Sequence, residues 1–151
     1  PTLAVLGWSM GGSIALRYAG LGGDADAIVS ISSPGYWFER GTSPMRLIHW
    51  AVETRIGRVA TRIATRTRLG EQWVEPPESP VEVVGRIAPT PLLLVHGEQD
   101  TFFPRRHAEV LAAAAPHADL WVEADMGHAE TSTSEALIDR IDDWVRSAVI
   151  S

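Results

Sequence analysis

The chain has 151 residues, 13 of them basic and all of those Arg, against 19 acidic ones, so its formal net charge is −6; 45% of residues are hydrophobic and none is Cys. The acidic balance argues against nucleic-acid binding, which needs a cationic face. The lack of Cys excludes disulfide scaffolds, thiolate nucleophiles, Cys-ligated zinc and iron–sulfur clusters.

A chain of this length can bury roughly 68–70% of its unfolded surface, as one globular domain or a large piece of one. No apolar run approaches the ~20 residues of a membrane span. No signal-peptide or lipidation pattern is read within the sequence. That leaves the compartment open, with the cytoplasm the setting expected.

Strands and helices alternate. Residues 3–6 are a short apolar run ending at Gly7, which suits a strand buried on both faces. A helix is predicted over 11–19, with Ile14, Ala15 and Tyr18 on one stripe and Gly20, Gly22 and Gly23 ending it. Residues 27–32 form a second strand, stopped by Ser33-Pro34-Gly35. Residues 92–96 form a third. Pro104 opens a helix that Pro116 stops.

Residues 119–123 form a fourth strand. Ser132 and Glu135 fit a capping box for the last helix, whose apolar stripe is Leu137, Ile141, Trp144, Val145 and Ala148. The alternation predicts an α/β fold with a mostly parallel sheet and flanking helices.

Residues 36–87 interrupt the alternation as an insertion. Ile48, Val52, Ile56, Val59 and Ile63 recur at helical spacing, with Arg55, Arg58, Arg62 and Arg66 on an offset stripe. Residues 75–81 read as an extended Pro-rich return. The Arg stripe is expected to be a solvated face or to pair with acids elsewhere.

The chemistry starts at Gly7-Trp8-Ser9-Met10-Gly11. This is G-x-S-x-G, directly after an apolar strand and directly before a helix. So tight a turn needs small residues beside the Ser, and it thrusts the hydroxyl above the strand ends. The helix N-terminus beneath supplies unpaired N–H groups, so the Met10 N–H is a candidate oxyanion donor.

A Ser hydroxyl needs a base. Of the five His, His128 lies in a loop after the fourth strand, where parallel sheets build their sites. His107 and His117 are expected to be solvated, His49 to pack within the insertion, and His96 to support the loop that follows it. The base needs an orienting carboxylate. Asp100 follows the third strand on the same sheet edge; Asp125 is the rival, on a tether short enough to constrain its approach.

The order Ser9…Asp100…His128 resembles the α/β-hydrolase superfamily, whose triad runs Ser, acid, His. Residues 92–104 (LLLVHGEQDTFFP) look like its acid-bearing strand and loop, and Gly127-His128 like its histidine loop. The resemblance implies an eight-stranded, mostly parallel sheet, of which this chain supplies the fifth to eighth strands. It also implies that the insertion is a cap. The first four strands would then be absent, together with the loop that supplies the second oxyanion N–H.

The start at Pro1 rather than Met fits this reading of the chain as the C-terminal half of a domain. The missing N-terminal half would be its partner, and residues 3–6 a bare apolar sheet edge.

The resemblance implies a serine esterase that acts on a small acyl substrate through an acyl-enzyme and needs no metal or organic cofactor. Amide cleavage and acyl transfer stay open. Trp8, Tyr36, Trp37 and Phe102 are candidate pocket residues, with core packing the alternative for Trp8. A catalytically silent binding module and a half-domain that completes its sheet with another chain are the other readings.

Overall fold

Residues 27–31 read AIVSI and residues 92–97 read LLLVHG, with no polar alternation. A strand needs such a run when helices cover both its faces. In the computed structural model of the chain, which describes residues 2–71 and 73–150, every residue of β2 (Ala27–Ile31) and β3 (Leu92–Gly97) is buried. They are the middle of a four-stranded parallel sheet, with β1 (Ala4–Trp8) and β4 (Asp119–Glu123) outside them in the order β1-β2-β3-β4.

The register pairs Gly7 with Ser30, Ile31 with Val95, and Gly97 with Glu123. The carboxyl ends of the strands therefore stand side by side.

Alternate residues feed two cores. Ile28, Leu92 and Leu94 point to one face, where they meet Leu16 of α1 (Met10–Gly20) and Leu111 of α5 (Arg106–Ala114). Val84 and Ile87 join them from a 3-10 turn that follows the short helix α4 (Pro80–Val83). Val29, Ile31, Leu93 and Val95 point to the other face, against Leu137, Ile141, Trp144 and Val145 of α6 (Glu135–Ile150).

Four local expectations need correction. β1 is buried on one face, not both: Val5 packs into the first core, whereas Leu6 is 36% exposed. The second face is covered by α6, which lies over the inner strands, and Trp8 is the β1 residue that reaches its core.

The buried stripe of α1 is Gly12, Ser13, Ala15, Leu16, Ala19 and Gly20; Ile14 and Tyr18 are exposed. The helix starts at Met10, and the small residues are what lets it lie close on β1 and β2. Its end does follow the glycines. The Gly23 N–H donates to the Tyr18 carbonyl and the Gly22 N–H to that of Ala19, with Gly22 at φ 89°. This is a Schellman end.

The cap of α6 is Ser134, whose hydroxyl accepts the Leu137 N–H at 3.2 Å; Ser132 lies in the preceding 3-10 turn. The extended return fails at Pro80. There Ser79 and Glu82 form a capping box and the chain turns helical, because proline suits the first helical position.

Residues 38–77 form a separate compact unit. The single predicted helical stripe is two helices, α2 (Ser43–Glu53) and α3 (Arg55–Thr65). Thr54 makes the break: its hydroxyl donates to the Trp50 carbonyl at 2.9 Å and accepts the Gly57 N–H at 3.0 Å. The two helices cross at Gly57, where a Cβ would come within 2.6 Å of Ala51 Cα.

The apolar stripe of α3 consequently turns outward, with Ile56, Val59 and Ile63 all exposed. Arg58, on the inward side, bonds the carbonyls of Val52, Leu69 and Gly70. Among the described residues no helix is long and apolar enough to cross a membrane.

Leu93 has no exposed surface and sits at the centre of the second core. Leu93→Ala is expected to lower unfolding free energy by about 2–5 kcal/mol, read from the urea midpoint at constant slope.

Candidate active site

Ser9 follows β1 directly and adopts φ 52°, ψ −123°, a conformation that side chains avoid. Three hydrogen bonds hold it there. Its N–H donates to the Ile31 carbonyl at 2.8 Å, and its carbonyl accepts the N–H groups of Gly12 and Ser13. The crowding that demands small neighbours falls on Gly7, where a Cβ would lie 2.5 Å from the Gly11 carbonyl carbon, and on Gly12, where it would strike Ser33 Oγ. Gly11 itself has open space around its missing Cβ. The steric need therefore lies before the Ser and one residue beyond the motif.

Asp100 follows β3, and its side chain has no exposed surface. Burying a carboxylate is costly unless it is paired and hydrogen-bonded. Here Oδ1 accepts the N–H groups of Phe102 (2.8 Å) and Phe103 (2.9 Å), and Oδ2 accepts from His128 Nδ1 at 2.8 Å. A carboxylate only accepts, so Nδ1 carries the imidazole proton. Nε2 is then free to accept from the Ser9 hydroxyl, 3.1 Å away.

Hydrogen bonds thus run unbroken from Ser9 through His128 to Asp100, across the ends of β1, β3 and β4. Asp125, the rival acid, is exposed and does not supply the carboxylate at Nδ1.

Aromatic rings close around the imidazole. Phe102 stacks on it, with centroids 4.5 Å apart and 27° between planes, and Phe103 meets it edge-on at 5.4 Å. Phe102, one of the candidate pocket residues, is thus in ring contact with His128. Phe103 was legible as the second residue of the same pair, but which ring faces His128 depends on the turn that Asp100 holds. Trp8 packs into the second core, and its indole N–H donates to Thr133 Oγ1 at 3.2 Å. Tyr36 is exposed and edge-on to His107, while the Trp37 indole N–H donates to the Glu78 carbonyl at 3.0 Å. Met10 begins α1 and is exposed.

The other histidines sort by burial. His107 is 1% exposed and accepts the Gly35 N–H at Nδ1, which corrects its reading as solvated. Its position on the inner face of α5 is what periodicity around Ala108 and Leu111 would have shown. His117 is exposed. His49 is buried within the 38–77 unit, with Nδ1 2.7 Å from Glu53 Oε1. His96 is the penultimate residue of β3, and its Nε2 donates to the Phe103 carbonyl at 2.9 Å, which ties down the Asp100 loop.

Desolvation pushes the His96 pKa below the ordinary value of 6.5; the Phe103 carbonyl and the Asp100 charge 4.0 Å away only partly oppose it.

The sequence matches no protein-family model and no curated protein. Its fold is similar to solved α/β hydrolases. The α/β hydrolase GrgF from Penicillium sp. sh18 aligns with a TM-score of 0.66 at 16% identity, covering 98% of this chain and 64% of that one. An α/β hydrolase from a lagoon-sediment metagenome (Mar Chica, Morocco) aligns at 0.61 and 22%, covering 97% and 62%. A Pyrococcus furiosus esterase aligns at 0.65 and 20%, covering 97% and 53%.

The chain therefore spans between about half and two thirds of the length of these neighbours. It has the fold of roughly half an α/β hydrolase, with four parallel strands and their helices.

Two predictions follow from this geometry. Gly7→Ala is expected to force α1 off β1 and to cost about 1–3 kcal/mol of stability, read by urea unfolding. For His96, the native pKa lies below the unfolded one, so the unfolded chain binds the proton first as pH falls. Its contribution to stability is full above about pH 6.5 and is lost below it, towards the lower native pKa. His96→Gln is expected to flatten that part of the curve of stability against pH, measured by urea titration at stepped pH.

Proposed function

We propose that the chain carries the acyl-transfer site of a serine hydrolase that cleaves a carboxylic ester of a small acyl substrate. The observation behind this reading is the hydrogen-bonded line Ser9 Oγ, His128 Nε2, His128 Nδ1, Asp100 Oδ2, with bonds of 3.1 and 2.8 Å. The fold neighbours add weight, since one of them is an esterase.

Ser9 Oγ attacks the ester carbonyl carbon as its proton passes to His128 Nε2. The carbonyl π pair moves to oxygen, and the Met10 N–H at the start of α1 donates to that oxyanion. Asp100 holds the imidazole tautomer and stabilises the imidazolium. Nε2–H then protonates the leaving alkoxide as the C–O bond breaks. Water, deprotonated by the same Nε2, hydrolyses the acyl-Ser9 ester and frees the acid.

The α/β-hydrolase resemblance implies a second oxyanion donor from the loop after the third strand of the whole fold. Without such a donor turnover falls by about 10²–10³. Phe102 lies against the imidazole and is the first candidate for a wall of the acyl site, with Trp8, Tyr36 and Trp37 as the further candidates.

Intact-mass labelling with a fluorophosphonate tests the reading. One adduct is expected on the chain and none on Ser9→Ala. Asp100→Asn, which leaves Nδ1–H without its carboxylate, is expected to slow labelling by roughly 10⁴-fold. A folded chain that takes no adduct overturns the proposal and leaves the binding-module reading in its place.

A further inference from the structure

Residue 129, next to the imidazole, sits in a conformation an alanine does not choose. Ala129 has φ 52°, the left-handed region that penalises a Cβ. Left alone, it would relax and turn the His128 ring with it. Both of its backbone polar groups are occupied. Its N–H donates to Ser32 Oγ at 3.1 Å, and its carbonyl accepts from Thr133 Oγ1 at 2.9 Å. The Thr133 hydroxyl in turn accepts the Trp8 indole N–H at 3.2 Å. An indole N–H can only donate, so the direction of the Thr133 hydroxyl proton is fixed towards Ala129.

The two anchors are not local. Ser32 is fully buried at the end of β2, has φ 51° itself, and donates its N–H to the Val95 carbonyl at 2.9 Å. Trp8 lies 125 residues from Thr133 in sequence and is the residue before Ser9. The turn that carries Ser9, the end of β2 and the loop that carries His128 are thus one hydrogen-bonded frame.

We propose that Thr133 and Ser32 are positioning residues for His128: they clamp Ala129 between them, and Trp8 ties the clamp to the Ser9 turn. The inference rests on the proposed role of His128 as the base. A hydroxyl that only closed the local 3-10 turn would have no need of the indole from β1. Loss of the clamp frees the imidazole to leave the line between Ser9 Oγ and Asp100 Oδ2. A displacement of ~1 Å there is worth about 10²-fold in rate.

The test is proton NMR of the chain, with the exchange-protected low-field Nδ1 proton of His128 assigned by its loss in Asp100→Asn. The wild-type chain is expected to show this resonance. Thr133→Val, which keeps the shape and deletes the hydroxyl, is expected to lose it while keeping a native amide spectrum. Thr133→Ser restores the hydroxyl and is expected to keep it. Ser32→Ala is expected to behave like Thr133→Val. Trp8→Phe, which deletes only the indole donor, gives a second route if Thr133→Val does not fold, and is expected to broaden the resonance.

A folded Thr133→Val or Trp8→Phe with the wild-type resonance overturns the inference, and so does a wild-type chain without one. Fluorophosphonate labelling keeps the two readings apart. A present, Thr133-dependent proton on a chain that takes no label sinks the hydrolase proposal and leaves the clamp standing.

Discussion

Everything at the site depends on the in-register parallel pairing of β2 and β3. Both strands are buried on both faces, so their backbone polar groups have no water and must be met by the ladder. Slipping the register by one residue would turn Ile28, Leu92 and Leu94 into the wrong core. The hydrophobic pattern therefore fixes where each strand stops. The four strands end along one edge of the sheet, with β2 between β1 and β3, and the Ser9 turn, the Asp100 loop and the His128 loop all leave from that edge.

Within that frame the buried Asp100 carboxylate organises the chemistry. It would be strongly unfavourable without partners. Two backbone N–H groups and an imidazole N–H supply them, so the same three bonds shape the loop and select the His128 tautomer. Phe102 and Phe103 then cover the imidazole because their own N–H groups are held by Asp100. His96 closes the arrangement from below through the Phe103 carbonyl. Each of these bonds satisfies a group that burial would otherwise penalise.

The unit of residues 38–77 follows a different local rule. Gly57 lets α3 cross α2 closely, and the inward side of α3 is glycine and an Arg whose guanidinium is spent on carbonyls. The apolar stripe is left facing out. Hydrophobic periodicity identified helical structure there, yet the packed side was decided by a backbone contact that periodicity does not encode.

The sequence by itself determined a good deal. Continuous apolar runs marked β2, β3 and their parallel sheet. The strand-Gly-x-Ser-x-Gly-helix order marked the Ser9 turn, and the chain order of Ser9, Asp100 and His128 marked the residues that meet. These are local patterns or simple consequences of strand direction. The tertiary structure alone decided that β1 is covered on one face. It alone decided that Ser134 rather than Ser132 caps α6, and that Ser32, Thr133 and Trp8 brace the residue after His128. The reason is physical. Those outcomes are hydrogen bonds and coverings that depend on the distance between chain segments once the sheet is packed, and no residue's own propensity carries that distance.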